Sequence, residues 1–262
     1  MKLIDTHCHL THGRLARQLP DVLARSKQAG VEAMICAAGN VQESKASLNL
    51  ARAHAGVYCT AGVHPHDAKD VGDQYLKTLE ELAADAKNVA VGEIGLDYHY
   101  DFSPREDQRR VFAAQLELAA RLGKKIVIHT REAFDDTLAI LSASNADPAK
   151  VVFHSFTGDA SQAHRALELG AMLSFSGIAT FARADDIRQS VAATPDDRIL
   201  IETDAPYLSP EPVRKMKTNE PANVVHVAAA LAVVRKATPQ ELAELTSANA
   251  ERFFALGEAC TS

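Results

Sequence analysis

Six residues of metal-ligand type stand at the ends of short apolar runs: His7, His9, Glu93, His129, His154 and Asp204. His7 and His9 are two residues apart. On an extended strand such residues project to the same side, so the two imidazoles point together and Cys8 opposes them. Converging imidazoles make a poor core and a good metal clamp. Glu93 follows Val89, Val91 and Gly92. A carboxylate in that apolar setting is costly without a cation or strong donors. His129 follows Ile126-Val127-Ile128, His154 follows Val151-Val152-Phe153, and Asp204 lies just beyond Ile199-Leu200-Ile201.

Taken singly, each of these has a bland reading. A histidine after a strand is commonly a hydrogen-bonded rim residue, Asp204 can cap a following helix, and Glu93 can pair with Arg131. Taken together, six ligand types at the same ends of predicted strands point to metal. They exceed what one tetrahedral zinc needs and suit two ions sharing a bridging carboxylate. Imidazole with carboxylate suits Zn, Mn or Fe better than Ca. A pair of such ions activates water and clamps a phosphoryl oxygen.

The elements that must position these residues are legible as alternating strands and helices. Eight apolar runs cover residues 2–9, 31–38, 57–63, 89–96, 125–129, 151–156, 171–176 and 199–204, the seventh being the weakest. Near-continuous apolar runs of this length read as strands buried on both faces of a parallel sheet. Helical periodicity covers 74–87, Arg105–Leu122, 133–144, 161–169, Val224–Arg235 and 241–256, with Pro104 and Pro239 at starts and Gly123 at a stop. Strand then helix, eight times over, predicts a (β/α)8 TIM barrel, with active-site residues at the C-terminal ends of the strands. An open doubly wound sheet is the alternative. No Pro/Gly/Ser-rich linker divides the chain, so residues 1–262 are expected to form a single domain.

Composition narrows the function classes. The chain has 28 basic and 34 acidic residues, a formal net charge of -6, and so no bulk basic field to coat nucleic acid. Any nucleic acid must be handled at a local site. The four cysteines, Cys8, Cys36, Cys59 and Cys260, form no CxxC pair, and the first three read as reduced core thiols. The opening MKLIDTHCHL lacks the apolar stretch of a signal peptide, and no window approaches the roughly 18 apolar residues of a membrane span. A cytoplasmic location without membrane contact is expected.

The motifs resemble those of the TatD-type metal-dependent deoxyribonuclease family, within the amidohydrolase superfamily. The resemblance is carried by Asp5-Thr6-His7-Cys8-His9-Leu10, Gly62-Val63-His64-Pro65-His66, Gly92-Glu93-Ile94-Gly95-Leu96-Asp97-Tyr98, His129-Thr130-Arg131, His154-Ser155-Phe156-Thr157-Gly158 and Glu202-Thr203-Asp204-Ala205-Pro206-Tyr207. It runs from near residue 1 to about residue 256, and includes 217–223 and 249–254. It implies that His7, His9 and Asp204 hold one metal, that His129 and His154 hold a second, and that Glu93 bridges. It implies two divalent ions per subunit (Zn, Mn or Mg) and exonuclease-type cleavage of DNA. Asp204 would also accept the nucleophile's proton, making Asp204 and Glu93 the catalytic pair.

Further rim residues are candidates for substrate contact. His64 is expected on phosphate; Arg131 is expected either on phosphate or orienting Glu93 or Asp204. Tyr98, Tyr207 and Phe156 could stack bases, Tyr207 being the one carried into the substrate site. Aromatics are only 5% of the chain, so few stacking platforms are expected. The cluster Arg214-Lys215-Met216-Lys217 reads as a backbone track or a solvated loop. Of the eleven histidines, His12, His66 and His99 remain without a role, and His54 and His164 read as surface residues. DNA is the expected substrate, with no obligate protein partner and a monomeric chain. A hydrolase of small-molecule esters or amides, or of aminoacyl-tRNA esters, is the alternative, and a non-catalytic scaffold is a third.

Overall fold

All eight apolar runs form parallel strands, hydrogen-bonded in sequence order: β1 (Leu3–Cys8), β2 (Val31–Cys36), β3 (Val57–Ala61), β4 (Asn88–Asp97), β5 (Lys125–Arg131), β6 (Val151–Phe153), β7 (Met172–Phe175) and β8 (Ile199–Ile201). The computed structural model describes residues 1–257; Cys260 lies outside the described residues. The first and last strands meet through a Cys8–Ala205 bridge, with Asp204 N donating to His7 O at 2.9 Å and His9 N to Ala205 O at 2.7 Å. The sheet therefore curls into a (β/α)8 TIM barrel, as expected from the recurrence.

Helices follow the strands: α1 (Gly13–Ala16), α2 (Leu19–Gln28), α3 (Val41–Ala53), α4 (Tyr75–Ala83), α5 (Arg105–Leu122), α6 (Phe134–Ala143), α7 (Ala160–Glu168), α8 (Asp185–Ala193), α9 (Val224–Arg235) and α10 (Pro239–Phe254). Helix α5 follows Pro104 and stops at Gly123, whose φ of 65° ends it in the left-handed region. Capping boxes start α7 at Asp159 with Gln162 and α10 at Thr238 with Glu241. Helices α2, α3 and α8 add to those expected from periodicity, α2 packing Leu19, Val22 and Leu23 on the core. Their buried faces include Ser26, Ser44, Ser47 and Ser190 among the apolar residues. No helix among the described residues is long and apolar enough to cross a membrane.

The barrel interior is filled by Ile4, Ile35, Val127, Val152, Met172 and Leu200, packed with Phe253 and Phe254 from the end of α10. Polar groups gather at the opposite end. Strand β1 shifts register between Asp5 and Cys8, so the consecutive residues Thr6 and His7 both reach across the barrel. Thr6 meets Ser174 Oγ at 3.1 Å, and the His7 ring stacks on that of His154 at 4.0 Å. Strands β6 and β8 stop before the ends of their runs. Residues 154–156 and 202–204 continue past the regular strands, still bonded to their neighbours through His154 N to Ile128 O at 3.0 Å and Glu202 N to Phe175 O at 3.1 Å, with Ser155 and Asp204 at φ of 41° and 55°.

Gly95 shows how tightly this rim is fitted. It has φ +143°, and a Cβ there would stand 1.9 Å from the carbonyl oxygen of His129. Gly95→Ala therefore forces both a strained backbone and a displaced β5. The expected cost is about 3 kcal/mol, read as a fall in Tm of roughly 6–12 °C. An unchanged Tm would refute the close approach of β4 and β5.

Candidate metal centre

Glu93 projects from the middle of β4 into the barrel mouth, and its two carboxylate oxygens face two different groups of imidazoles. Oε2 lies 3.2 Å from His7 Nε2 and 3.9 Å from His9 Nε2. Oε1 lies 3.3 Å from His64 Nε2, 3.0 Å from His129 Nδ1 and 2.9 Å from His154 Nε2. Asp204 closes the first group: its Oδ1 is 3.2 Å from His9 Nε2 and 4.0 Å from His7 Nε2. Three sets of converging donor atoms could hold an ion: His7, His9 and Asp204; His64, Glu93 and His129; and His7, His154 and Glu202.

Three buried carboxylates orient the cluster. Asp97 Oδ2 takes His129 Nε2 at 3.2 Å and His66 Nε2 at 2.9 Å. With Nε2 held there, His129 turns its Nδ1 toward Glu93. Glu202 Oε1 takes His154 Nδ1 at 3.2 Å and the Ser155 backbone N–H at 2.8 Å, while Oε2 accepts from Ser174 Oγ at 2.5 Å. That leaves His154 Nε2 facing inward, 3.2 Å from His129 Nδ1. Carboxylates behind imidazoles fix the tautomer of metal-binding histidines in this way. Asp5 accepts from Thr203 N at 2.9 Å and Thr203 Oγ1 at 2.5 Å, tying β1 to the segment that carries Asp204. Burial pushes the Asp5 carboxyl up to about 8 despite those bonds.

The cluster is electrostatically primed for cations. Burial alone would raise the Glu93 carboxyl, but His154, His64 and His7, with a bond from His129, hold it well below the usual carboxylate range. Burial likewise opposes ionisation of Asp204, but the His9 bond and the charges of His9, His154 and His7 together hold its carboxyl below the ordinary value. His154 is shifted the other way: burial lowers it, and Glu93 and Glu202 carry it well above its ordinary value. His7 is the telling member. Both of its ring nitrogens are buried without a hydrogen-bond partner, the Glu93 contact lacking the alignment of a hydrogen bond. Burial and the neighbouring His154 push its imidazole down, so it stays neutral with a lone pair to offer. An orphaned buried nitrogen is costly, and a divalent ion is the partner that this donor set fits.

The structure brings together all six expected ligand-type residues and adds His64. Its Nδ1 accepts the His66 backbone N–H at 3.1 Å, so the Nε2 proton points at Glu93. Burial pushes this imidazole down to about 4, keeping it neutral. The suggested pairing of Arg131 with Glu93 or Asp204 is corrected: imidazoles surround both carboxylates, and Arg131 is exposed, 4.8 Å over the Tyr100 ring. Tyr207 is exposed at the rim, edge-on to His9 at 5.9 Å and His12 at 5.7 Å. Phe156 is a core residue packed on Phe134, Phe153 and Phe175, so its stacking role falls away. Tyr98 donates to Asp136 Oδ2 at 2.7 Å beneath Arg105. Arg214 is drawn over the Phe181 ring at 3.9 Å. Asp97, Glu202 and Asp5 stand inside quoted motifs, yet spacing alone gives them no orienting role. Their only signal is that a carboxylate embedded beside an apolar strand needs partners.

A family model described as TatD related DNase matches residues 4–255. The uncharacterized metal-dependent hydrolase YabD of Bacillus subtilis (strain 168) is 37% identical over 252 residues, 96% of this chain and 98% of that protein. The 3′-5′ ssDNA/RNA exonuclease TatD of Klebsiella pneumoniae (strain 342) is 35% identical over 258 residues, 97% of this chain and 98% of that one. Among solved structures, the TatD homologue YjjV of Escherichia coli K12 superposes with a TM-score of 0.91 at 31% identity, covering 97% of this chain and 98% of its own.

Proposed function

The chain belongs to the TatD related DNase family of metal-dependent hydrolases, and from that premise we propose that it removes nucleotides from one end of single-stranded DNA, using two divalent ions (Zn, Mn or Mg) per chain. The observation that carries the reading is the split of the Glu93 carboxylate, one oxygen toward His7 and His9 and the other toward His64, His129 and His154. A carboxylate so placed is suited to bridging. His7, His9 and Asp204 would hold one ion; His129 and His154 would hold the other, with Glu93 between. Bound there, the ions would lower the pKa of an attacking water and offset charge on the phosphodiester.

The chain's own residues do the rest. Asp204 stays ionised at the mouth of the barrel and can take the water's proton. His64 is a neutral imidazole with a proton on Nε2, a donor for a phosphate oxygen or for the departing alkoxide. Arg131 and Tyr207 would hold the strand on either side. One barrel unit covering residues 1–262 and acting as a monomer accounts for this chemistry. The exonuclease name of the Klebsiella relative favours a phosphodiester over the small-molecule or aminoacyl esters that the same ligands could serve.

The test uses metal-stripped protein and an end-labelled single-stranded oligonucleotide, with Mn, Mg or Zn added back. A ladder shortening from one end only in the presence of metal, together with two ions per chain by calorimetric titration, is expected. Intact oligonucleotide with every metal would overturn the proposal.

A further inference from the structure

We propose that Tyr100 and Phe102, on the loop between β4 and α5, form a stacking platform for a nucleobase of the substrate strand next to the metal centre. This rests on the nucleic-acid reading above. The two rings stack on each other, 5.1 Å apart and 17° from parallel. They are 48% and 55% exposed, which is unusual for a Tyr and a Phe so close to one another. Arg131 lies against the Tyr100 ring, 4.8 Å from its centroid, and the Phe102 ring is the more exposed. The stack thus presents an aromatic face with a guanidinium behind it. That pairing suits a base on the ring and its phosphate on the cation, without reading base identity.

The platform is held rigid and joined to the centre. Asp97 Oδ1 accepts the backbone N–H groups of His99 and Tyr100, both at 3.0 Å. Ser103 on the far side donates to His66 O at 2.7 Å and accepts Lys69 N at 3.1 Å. The His66 ring stands edge-on to Phe102 at 4.7 Å and to Tyr100 at 5.6 Å, and lies 6.3 Å from the His129 ring. Asp97 bonds His66 and His129 at once. A base on Phe102 would therefore lie beside His66, on the side of the centre that His129 lines. Tyr207 stands beside His9, on the other metal-ligand group. With a net charge of -6, the chain has little bulk attraction for DNA, and stacking supplies affinity that charge does not.

The test compares wild type with Phe102→Ala, Tyr100→Ala and the double variant. Both side chains are exposed, and unchanged Tm and unchanged metal titration confirm intact folding and an intact centre. On a single-stranded oligonucleotide, kcat/KM is expected to fall about tenfold for each single variant and further for the double, mainly through KM. Phe102→Trp restores it. Abasic nucleotides near the cleaved end slow wild type by the same factor and leave the double variant unaffected. Wild-type kcat/KM in the double variant, or loss on normal and abasic strands alike, would overturn the platform. If wild type itself leaves every oligonucleotide intact, the nucleic-acid reading fails instead, and the two failures are thereby told apart.

Discussion

Glu93→Gln abolishes metal-dependent cleavage, lowering kcat by at least about a thousandfold, which corresponds to about 4 kcal/mol of transition-state stabilisation. Gln keeps the size and shape of the side chain but offers one neutral oxygen and an amide. The two oxygens of Glu93 now meet two separate groups of imidazoles, and only a carboxylate can serve both sides as an anion. The same charge holds His154 protonation high and is itself held ionised by the surrounding imidazoles. Removing it leaves the imidazoles with carboxylates only at their edges, Asp204 beside His9, Asp97 beside His129 and Glu202 beside His154. Metal binding should suffer with activity: the rise in Tm on adding Mn or Zn to the stripped protein shrinks or disappears, since ligands stabilise only what they bind. An oligonucleotide assay paired with a thermal scan reads both effects. A variant that keeps a tenth of wild-type activity would rule out Glu93 as the bridge.

The barrel is legible in the sequence because its strands are buried on both faces, which writes each one as an apolar run with a polar residue where it leaves the core. His129 and His154 stand out that way. The residues that orient them do not. Glu202 serves His154 from 48 positions away, and Asp5 serves Thr203 from 198 positions away. Such pairings exist only once the sheet has closed. The register shift in β1 is equally silent in the sequence, although it is what lets Thr6 and His7 share the interior. Arg131 fails as a partner of Glu93 for a related reason. It lies where β5 leaves the barrel, and five histidines already occupy the carboxylate's surroundings. Tyr100 and Phe102 carry no signal, because an aromatic residue looks like core until the structure shows it in solvent.

Asp204→Asn separates ligation from proton transfer at the other end of the cluster. The position has φ +55°, a conformation that Asn tolerates as readily as Asp, so the backbone of the rim is spared. The substituted side chain still presents an oxygen toward His9, where Oδ1 now stands 3.2 Å from Nε2. It loses the negative charge and, with it, the capacity to take a proton from an attacking water. If Asp204 only held metal, the variant would bind the first ion weakly and recover as metal is raised to saturation. A proton-accepting Asp204 gives a different result: kcat remains about a thousandfold down at saturating Mn or Zn, while Tm without metal stays near that of wild type. Titration should show the ion at His7 and His9 weakened and the ion at His129 and His154 retained. Full recovery of kcat at high metal would reduce Asp204 to a ligand, and the proton would then have to leave through another group at the rim, with His64 excluded as long as its Nε2 already carries one.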